Sequence, residues 1–330
     1  MNSVMTKQNF FHKKAWIKRL LIIVGSCLLL FGLTRIYFCL TDDFRLANMT
    51  YDLPHRPEWE VENLGEEDRQ LLQKILQQKF SYMSKGAQSY AFGSEDQRYV
   101  LKFFKFKHLK PHWIVELFPS IPPFSSYREK QTRRKWNKLE GVFSGYRLAY
   151  EVHRKESGLI FIHLNKTHHL YPPIHVIDKL GFNRTIHLDD VVFIIQDKAV
   201  ITRTVMQTLL QQNDLRTAKK RIKQIFDLYL SEYHKGIVDH DHGVMHNIGF
   251  VGENPIHLDV GNLKADEWIK QPEFYESDLV KIAVKLATYI QSNFPEHYSE
   301  MGRAIEALVT ERLGTPFFLQ GHLAIACEIC

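Results

Sequence analysis

The chain is short of cysteine, of strong net charge and of repetition. It holds only four cysteines in 330 residues. Cys27 and Cys39 fall in an apolar stretch near the N-terminus, which leaves Cys327 and Cys330 for everything else. That distribution excludes a secreted domain stapled by disulfides. The formal charge is a mild +6, part of it in the leader and in "KQTRRK", Lys130 to Lys135, so charge gives no ground for a nucleic-acid partner. The absence of internal repeats and of long low-complexity tracts excludes a solenoid. What remains has an ordinary folded composition, long enough for one large or two modest units with a substantial core.

One feature is plentiful at one place. Lys13, Lys14, Lys18 and Arg19 precede "LLIIVGSCLLLFGLTRIYFCL", Leu20 to Leu40, an apolar run of the length a bilayer requires. It reads as a single transmembrane helix, with Arg35 close enough to the far end for its stem to reach the interface. The positive-inside rule puts the N-terminus in the cytoplasm and the remaining chain on the other side. The rival is a cleaved signal peptide over Leu20 to Leu33, but no A-x-A-like site follows, and "VGSC", ending at Cys27, is a faint lipoprotein box. "CEIC" at the C-terminus fits a redox pair, a metal clip, a poor prenylation match or a tail with two thiols. Asn48, Asn165 and Asn183 begin N-x-[ST] triplets of the kind that arise often by chance.

Past the apolar run, Thr41 to Pro57 is polar with two prolines and reads as a linker or extended arm. "GEEDRQLLQKILQQKF" predicts a helix, with acids in its first turn and Leu71, Leu72, Ile75 and Leu76 on one stripe. From Phe80 to Lys102, short apolar runs broken by glycine predict a twisted hairpin with a turn over Ser94 to Gln97. Ser125 to Glu156 predicts a long helix with Leu139, Val142, Phe143, Tyr146 and Ala149 inward, ended by Gly158. "LIFIHL", "IHVID" and "VVFIIQ" read as strands. After Lys198 the pattern is helical: "TVMQTLLQQ", then "LRTAKKRIKQIFDLYLSEYHKG" with Ile222, Ile225, Phe226 and Tyr229 buried, and later "SDLVKIAVKLATYIQSNF" and "EMGRAIEALVTERL".

The chemistry concentrates in "HDHGVMHNIGFVGENPIHLDVGNL", His240 to Leu263. "NIGFV", "GENP" and "IHLDV" predict an antiparallel hairpin turning over Gly252 to Pro255. Facing Val251 to Ile256 sets Ile248 opposite Asp259 and Asn247 opposite Val260, so Asn247 and Asp259 meet at the open end. An amide oxygen beside a carboxylate is a donor pair that Mg²⁺ prefers, with substrate phosphates completing the octahedron. Asp239 and Asp241 enter the same mouth.

The order Asp, loop, Asn, hairpin, Asp-x-Gly resembles the catalytic loop and metal-binding segment of the protein-kinase-like superfamily, which includes aminoglycoside and sugar kinases. The resemblance runs from Phe80 to about Leu313 and implies an α+β, bilobed fold behind the membrane helix. It implies Asp241 as the base, with Asp239 as the other candidate, Asn247 and Asp259 as Mg²⁺ ligands, and ATP as the nucleotide. "YVLK" resembles the strand of the phosphate-pairing lysine, which makes that residue Lys102. Its glutamate partner is expected from the long helix, Glu140 first, with Glu129 and Glu151 as alternatives. "GAQSYAFG" would cover the phosphates with Gly86 and Ser89, although Gln88 and Ala91 stand where the second and third glycines belong. "VVFIIQDKA" would carry adenine along Gln196. Asp241 precedes Asn247 by six positions, one more than in H-R-D-x-x-x-x-N, and Gly243 stands where the family carries a lysine. The stretch from Glu140 to Asn262 also resembles uncharacterised membrane-anchored proteins of chlamydia-type bacteria.

The expected layout is a leader over 1–19, a membrane helix over 20–40, a linker over 41–65, an N-terminal lobe over 66–198, a helical lobe over 199–320 and a tail over 321–330. The expected partners are a nucleotide, the membrane and a hydroxyl acceptor that the sequence does not identify. Two other functions fit the same residues. One is a catalytically inactive pseudokinase that binds through the cleft. The other is a metal-dependent hydrolase built on His240, Asp241, His242 and His246, whose imidazoles suit Zn²⁺ or Fe²⁺. His163, His168, His169 and His175 read as surface or core histidines, and Trp113, Trp136 and Trp268 as packing residues.

Overall fold

Helix α1 (Asn2–Leu40) follows from a run with no acidic residue and no proline. Its part Lys18–Leu40 is 23 residues long with mean hydropathy 2.1, and none of the window is buried against the rest of the chain. At 1.5 Å per residue that is about 35 Å, enough by length and composition to cross a bilayer. The structure, a computed structural model, describes residues 2–61, 64–108, 115, 117–119, 121–239, 241 and 243–321. Cys327 and Cys330, Trp113, His240 and His242 lie outside them.

The segment after α1 turns back onto the domain. Asp42 and Asp43 have φ of +54° and +63°, and Phe44 and Met49 are buried in the core of the main sheet. Trp59 is buried on the opposite face against Phe143. The stretch read as a linker thus carries three large apolar anchors. They are too widely spaced to give a periodic signal.

Seven strands form the main sheet in the order β4-β7-β3-β2-β1-β5-β6. They are β1 (Phe80–Lys85), β2 (Ser89–Ser94), β3 (Tyr99–Phe104), β4 (Leu159–His163), β5 (Ile174–Ile177), β6 (Asn183–Ile186) and β7 (Phe193–Asp197). The β1–β5 pair is parallel and the other pairs are antiparallel. Alternation sends Leu101 and Phe103 of β3 to one face, where they join Leu72, Ile75 and Leu76 of α2 (Glu66–Leu76). Phe104 of β3 and Ile194 of β7 go to the other face, against Leu139, Val142, Phe143, Tyr146 and Ala149 of α3 (Phe124–Val152). Lys102 shares that second face by the same alternation. Helix α3 ends at His153, and one short turn, Arg154–Ser157, leads to Gly158 at φ +63°.

The second half is mainly helical: α4 (Thr202–Gln211), α5 (Leu215–His234), α6 (Pro272–Asn293) and α7 (Pro295–Leu313). Their stripes close one core around Phe226, Tyr229, Leu279, Leu286 and Ile305. Between α5 and α6 lie β9 (Ile237–Asp239), β10 (Ile248–Val251), β11 (Asn254–His257) and β12 (Leu263–Ala265). The β10–β11 hairpin drives Ile248 and Phe250 into the helical core and is extended by β8 (Val200–Ile201). The β9–β12 pair sets Asp239 opposite Leu263 and so brings the two ends of the hairpin-bearing segment together.

Candidate functional site

The hairpin turns over two residues, Gly252 and Glu253, with Gly252 at φ +60°. A left-handed first position is what a II′-type hairpin turn needs. The register is Val251 with Asn254, Gly249 with Ile256 and Ile248 with His257. This corrects the sequence expectation by two residues: Ile248 faces His257, not Asp259. The ladder continues with Leu258 N–H donating to Asn247 O at 2.6 Å, which still brings Asn247 and Asp259 to one open end. Asn247 closes the short turn Val244–Asn247, and its amide fills the space beside Gly243, where a Cβ would lie 2.6 Å from Nδ2.

Lys102 reaches this end of the hairpin from the sheet. Its Nζ donates to Leu258 O at 2.9 Å. Burial pushes its pKa down to about 8, and the negative charge of Asp259 opposes that fall. Helix α3 backs the same segment at Gly145, where a Cβ would meet the carbonyl oxygens of Val260 and Gly261 at 2.7 Å. Tyr146, one residue on, is buried, and its phenol is pushed well above its ordinary pKa by burial and by Asp259.

The other sequence candidates are placed as follows. Asp241 is exposed and its N–H donates to Asp239 Oδ1 at 2.8 Å. Asp239 is buried, with Oδ2 3.2 Å from His257 Nε2. Glu140 accepts from Trp136 Nε1 at 2.6 Å and Arg56 Nη2 at 3.3 Å, and the carboxylate whose charge acts on Lys102 is Asp259. Gln196 is fully buried, and its Nε2 donates to Ser157 O at 2.6 Å and His257 O at 3.2 Å. Gly86 and Ser89 close the β1–β2 turn, with Gly86 N–H donating to Ser89 O at 3.0 Å. Of the proposed hydrolase ligands that the structure describes, His246 is exposed with Nε2 3.2 Å from Arg203 Nη2. His163 is buried, whereas His168, His169 and His175 are exposed. Trp136 packs near Trp59, and Trp268 is 65% exposed.

Several residues at this site were not anticipated. Lys105 donates to Gly86 O, and burial, together with Lys85 and Lys107, lowers its pKa to about 8. Behind the hairpin, Glu232 of α5 stands between His153 and His257, all three fully buried. Burial raises the Glu232 pKa, but the charge of His257 and hydrogen bonds from both imidazoles outweigh it and hold the carboxyl low. For His257, burial works downward, and Glu232 and Asp239 outweigh it and raise its pKa. A signal for Glu232 existed: it lies three residues past Tyr229, on the apolar stripe of its helix. A cavity of about 730 Å³ lies elsewhere, between α2 and β4, lined by Leu72, Phe161, His163 and Tyr171. It holds none of the residues around Lys102.

No family model matches the chain, and no curated protein does. Among solved structures, it is similar to WbdD, in a co-crystal structure with the kinase inhibitor LY294002. The identity is 12% and the TM-score 0.36, over 75% of this chain and 50% of that one. A TM-score of that size carries no argument about chemistry, so the site stands on its own geometry.

Proposed function

We propose that the chain is a membrane-anchored, two-lobed, kinase-like phosphotransferase that moves a phosphoryl group from ATP, with Mg²⁺, to a hydroxyl acceptor. The observation that carries this reading is the reach of Lys102 from the middle of the sheet to the Leu258–Asp259 end of the hairpin. A cation from the sheet beside a carboxylate from the hairpin supplies the charges that a nucleotide triphosphate and its metal need. Asn247 and Asp259 would hold Mg²⁺, which neutralises charge on the β- and γ-phosphates. Lys102 would leave Leu258 O for a phosphate oxygen. Asp241, exposed at the mouth, would orient the acceptor hydroxyl, and Asp239, already turned to His257 and the Asp241 N–H, would hold that loop in place. Rate in such chemistry comes from positioning and charge stabilisation.

One observation favours a second reading, an inactive module that binds nucleotide in the same cleft. Glu140 accepts from Arg56 and Trp136, and among the described residues the carboxylate acting on Lys102 is Asp259. Thermal shift and turnover separate the two. Under the first reading, Mg-ATP raises the Tm of the purified full chain and ATP is consumed. Asp259→Ala and Lys102→Met should each lower that consumption by about 100-fold or more, the scale of removing one charge-stabilising group. A shift without turnover selects the binding module. Turnover that Asp259→Ala leaves untouched removes Asp259 from the mechanism.

A further inference from the structure

We infer that His153, Glu232 and His257 form a structural site for a divalent transition metal, Zn²⁺ by its donor chemistry, separate from the cleft at Lys102. Ligating atoms of the three residues all lie within 4.8 Å of one another. His153 Nε2 is 3.0 Å and His257 Nδ1 2.8 Å from the same oxygen, Glu232 Oε1. Around a zinc with bonds of about 2.0–2.2 Å, neighbouring ligand atoms stand about 3.3 Å apart. The side chains therefore need only a small outward movement to accept the ion. The second oxygen, Glu232 Oε2, is buried and makes no hydrogen bond among the described residues, which leaves it available as a further ligand atom.

A carboxylate stands near the outer nitrogen of each histidine. An imidazole that ligates through one nitrogen commonly gives the other N–H to a carboxylate, which fixes its tautomer and orientation. His257 has Asp239 Oδ2 at 3.2 Å from its outer nitrogen, a contact in ion-pair range but off the line of a good hydrogen bond. His153 has Glu156 Oε2 at 3.6 Å from Nδ1. Lys235 Nζ also lies 3.3 Å from that nitrogen while donating to Glu156 Oε1 at 2.6 Å. With the ion on Nε2, Nδ1 carries the proton, so Lys235, which can only donate, has to leave that nitrogen and Glu156 has to close in from 3.6 Å to accept it.

The donor types point the same way. Two imidazoles, His153 and His257, and the carboxylate Glu232 are buried together, the mixed nitrogen and oxygen set that zinc takes, with Asp239 beside them. Closure from solvent marks the site as structural. The ion would tie together the end of α3, helix α5 and the hairpin that carries Asp259. The inference rests on these residues alone and stands or falls apart from phosphotransfer.

The test is metal analysis of the full chain, purified in detergent without chelator, with Co²⁺ exchanged in as a spectroscopic probe. We expect close to one equivalent of zinc per chain and visible cobalt absorption of a tetrahedral N/O site. X-ray absorption should show imidazole and carboxylate ligands without sulfur, which sets the site apart from Cys327 and Cys330. His153→Ala and Glu232→Gln should lose the metal, while Asp259→Ala should keep it. A wild-type chain that neither carries a stoichiometric transition metal nor takes up cobalt overturns the site and leaves a hydrogen-bonded network. So does metal retained in folded His153→Ala and Glu232→Gln. Should those variants not fold, the wild-type metal content and ligand set decide alone.

Discussion

At the scale of single residues, the side chains that matter most are polar groups held inside. His163 is 5% exposed, packed against the rings of Phe193 and Tyr171, and its Nε2 makes no hydrogen bond among the described residues. Burial lowers its pKa from 6.5 to about 4, with Asp189 pulling weakly the other way. Between those two values the unfolded chain binds the proton and the folded chain does not, so stability falls as pH drops through the window. At about 1.4 kcal/mol per pH unit, the loss attributable to this ring approaches about 3 kcal/mol once pH is below 4. His163→Phe keeps the ring packing and removes the titration. Urea unfolding at neutral pH and at about pH 4.5 should therefore show a markedly smaller acid destabilisation in the variant. An unchanged difference would assign the acid sensitivity to other groups.

At the scale of elements, α3 is the backing on which the cleft rests, and two of its glycines separate propensity from packing. A methyl group at Gly141 would have nothing within 4 Å, whereas one at Gly145 would meet the backbone of Val260 and Gly261 at 2.7 Å. Gly141→Ala should stabilise by up to about 1 kcal/mol through helix propensity. Gly145→Ala should destabilise by about 1–3 kcal/mol, since backbone atoms must move to admit the methyl. It should also weaken Mg-ATP stabilisation, because the displaced segment carries Asp259. Thermal melts of the pair check both signs. Much at this scale was legible in the sequence. The long helices follow from their apolar stripes, and the hairpin from two β-rich runs around a glycine. Its register was not legible: Asn254 and Pro255 read as turn residues, yet Pro255 sits on edge strand β11, where a missing N–H is tolerated. The short pairs β9–β12 and β8–β10 hold too few residues for a pattern. The buried Glu232 was hidden because a stripe reading counts apolar positions and passes over the one acid among them.

At the scale of the whole molecule, the apolar helix α1 and the domain are joined without slack. Tyr37 in the last turn of α1 accepts from Arg184 Nη2 at 2.6 Å, and Asp42, just beyond, pairs with Lys179 at 2.9 Å and accepts from Tyr82 at 2.7 Å. Phe44 and Met49 then enter the sheet core. The domain is thus fixed to the end of α1, and if that helix spans a bilayer, the side on which the domain lies decides which donor it meets. The basic leader before Leu20 favours the outer side by the positive-inside rule, which counts charges near the span. A cleft that takes ATP favours the cytosol. If the phosphotransfer proposed above is right, the need of that site for ATP outweighs loop charge, which is a statistical bias. We therefore expect protease added to intact cells to leave residues 41–330 whole, and the same protease to degrade them after lysis. Cleavage in intact cells would place the cleft away from cytosolic ATP and would remove ATP as the donor. The cluster of His153, Glu232 and His257 would be untouched by that result.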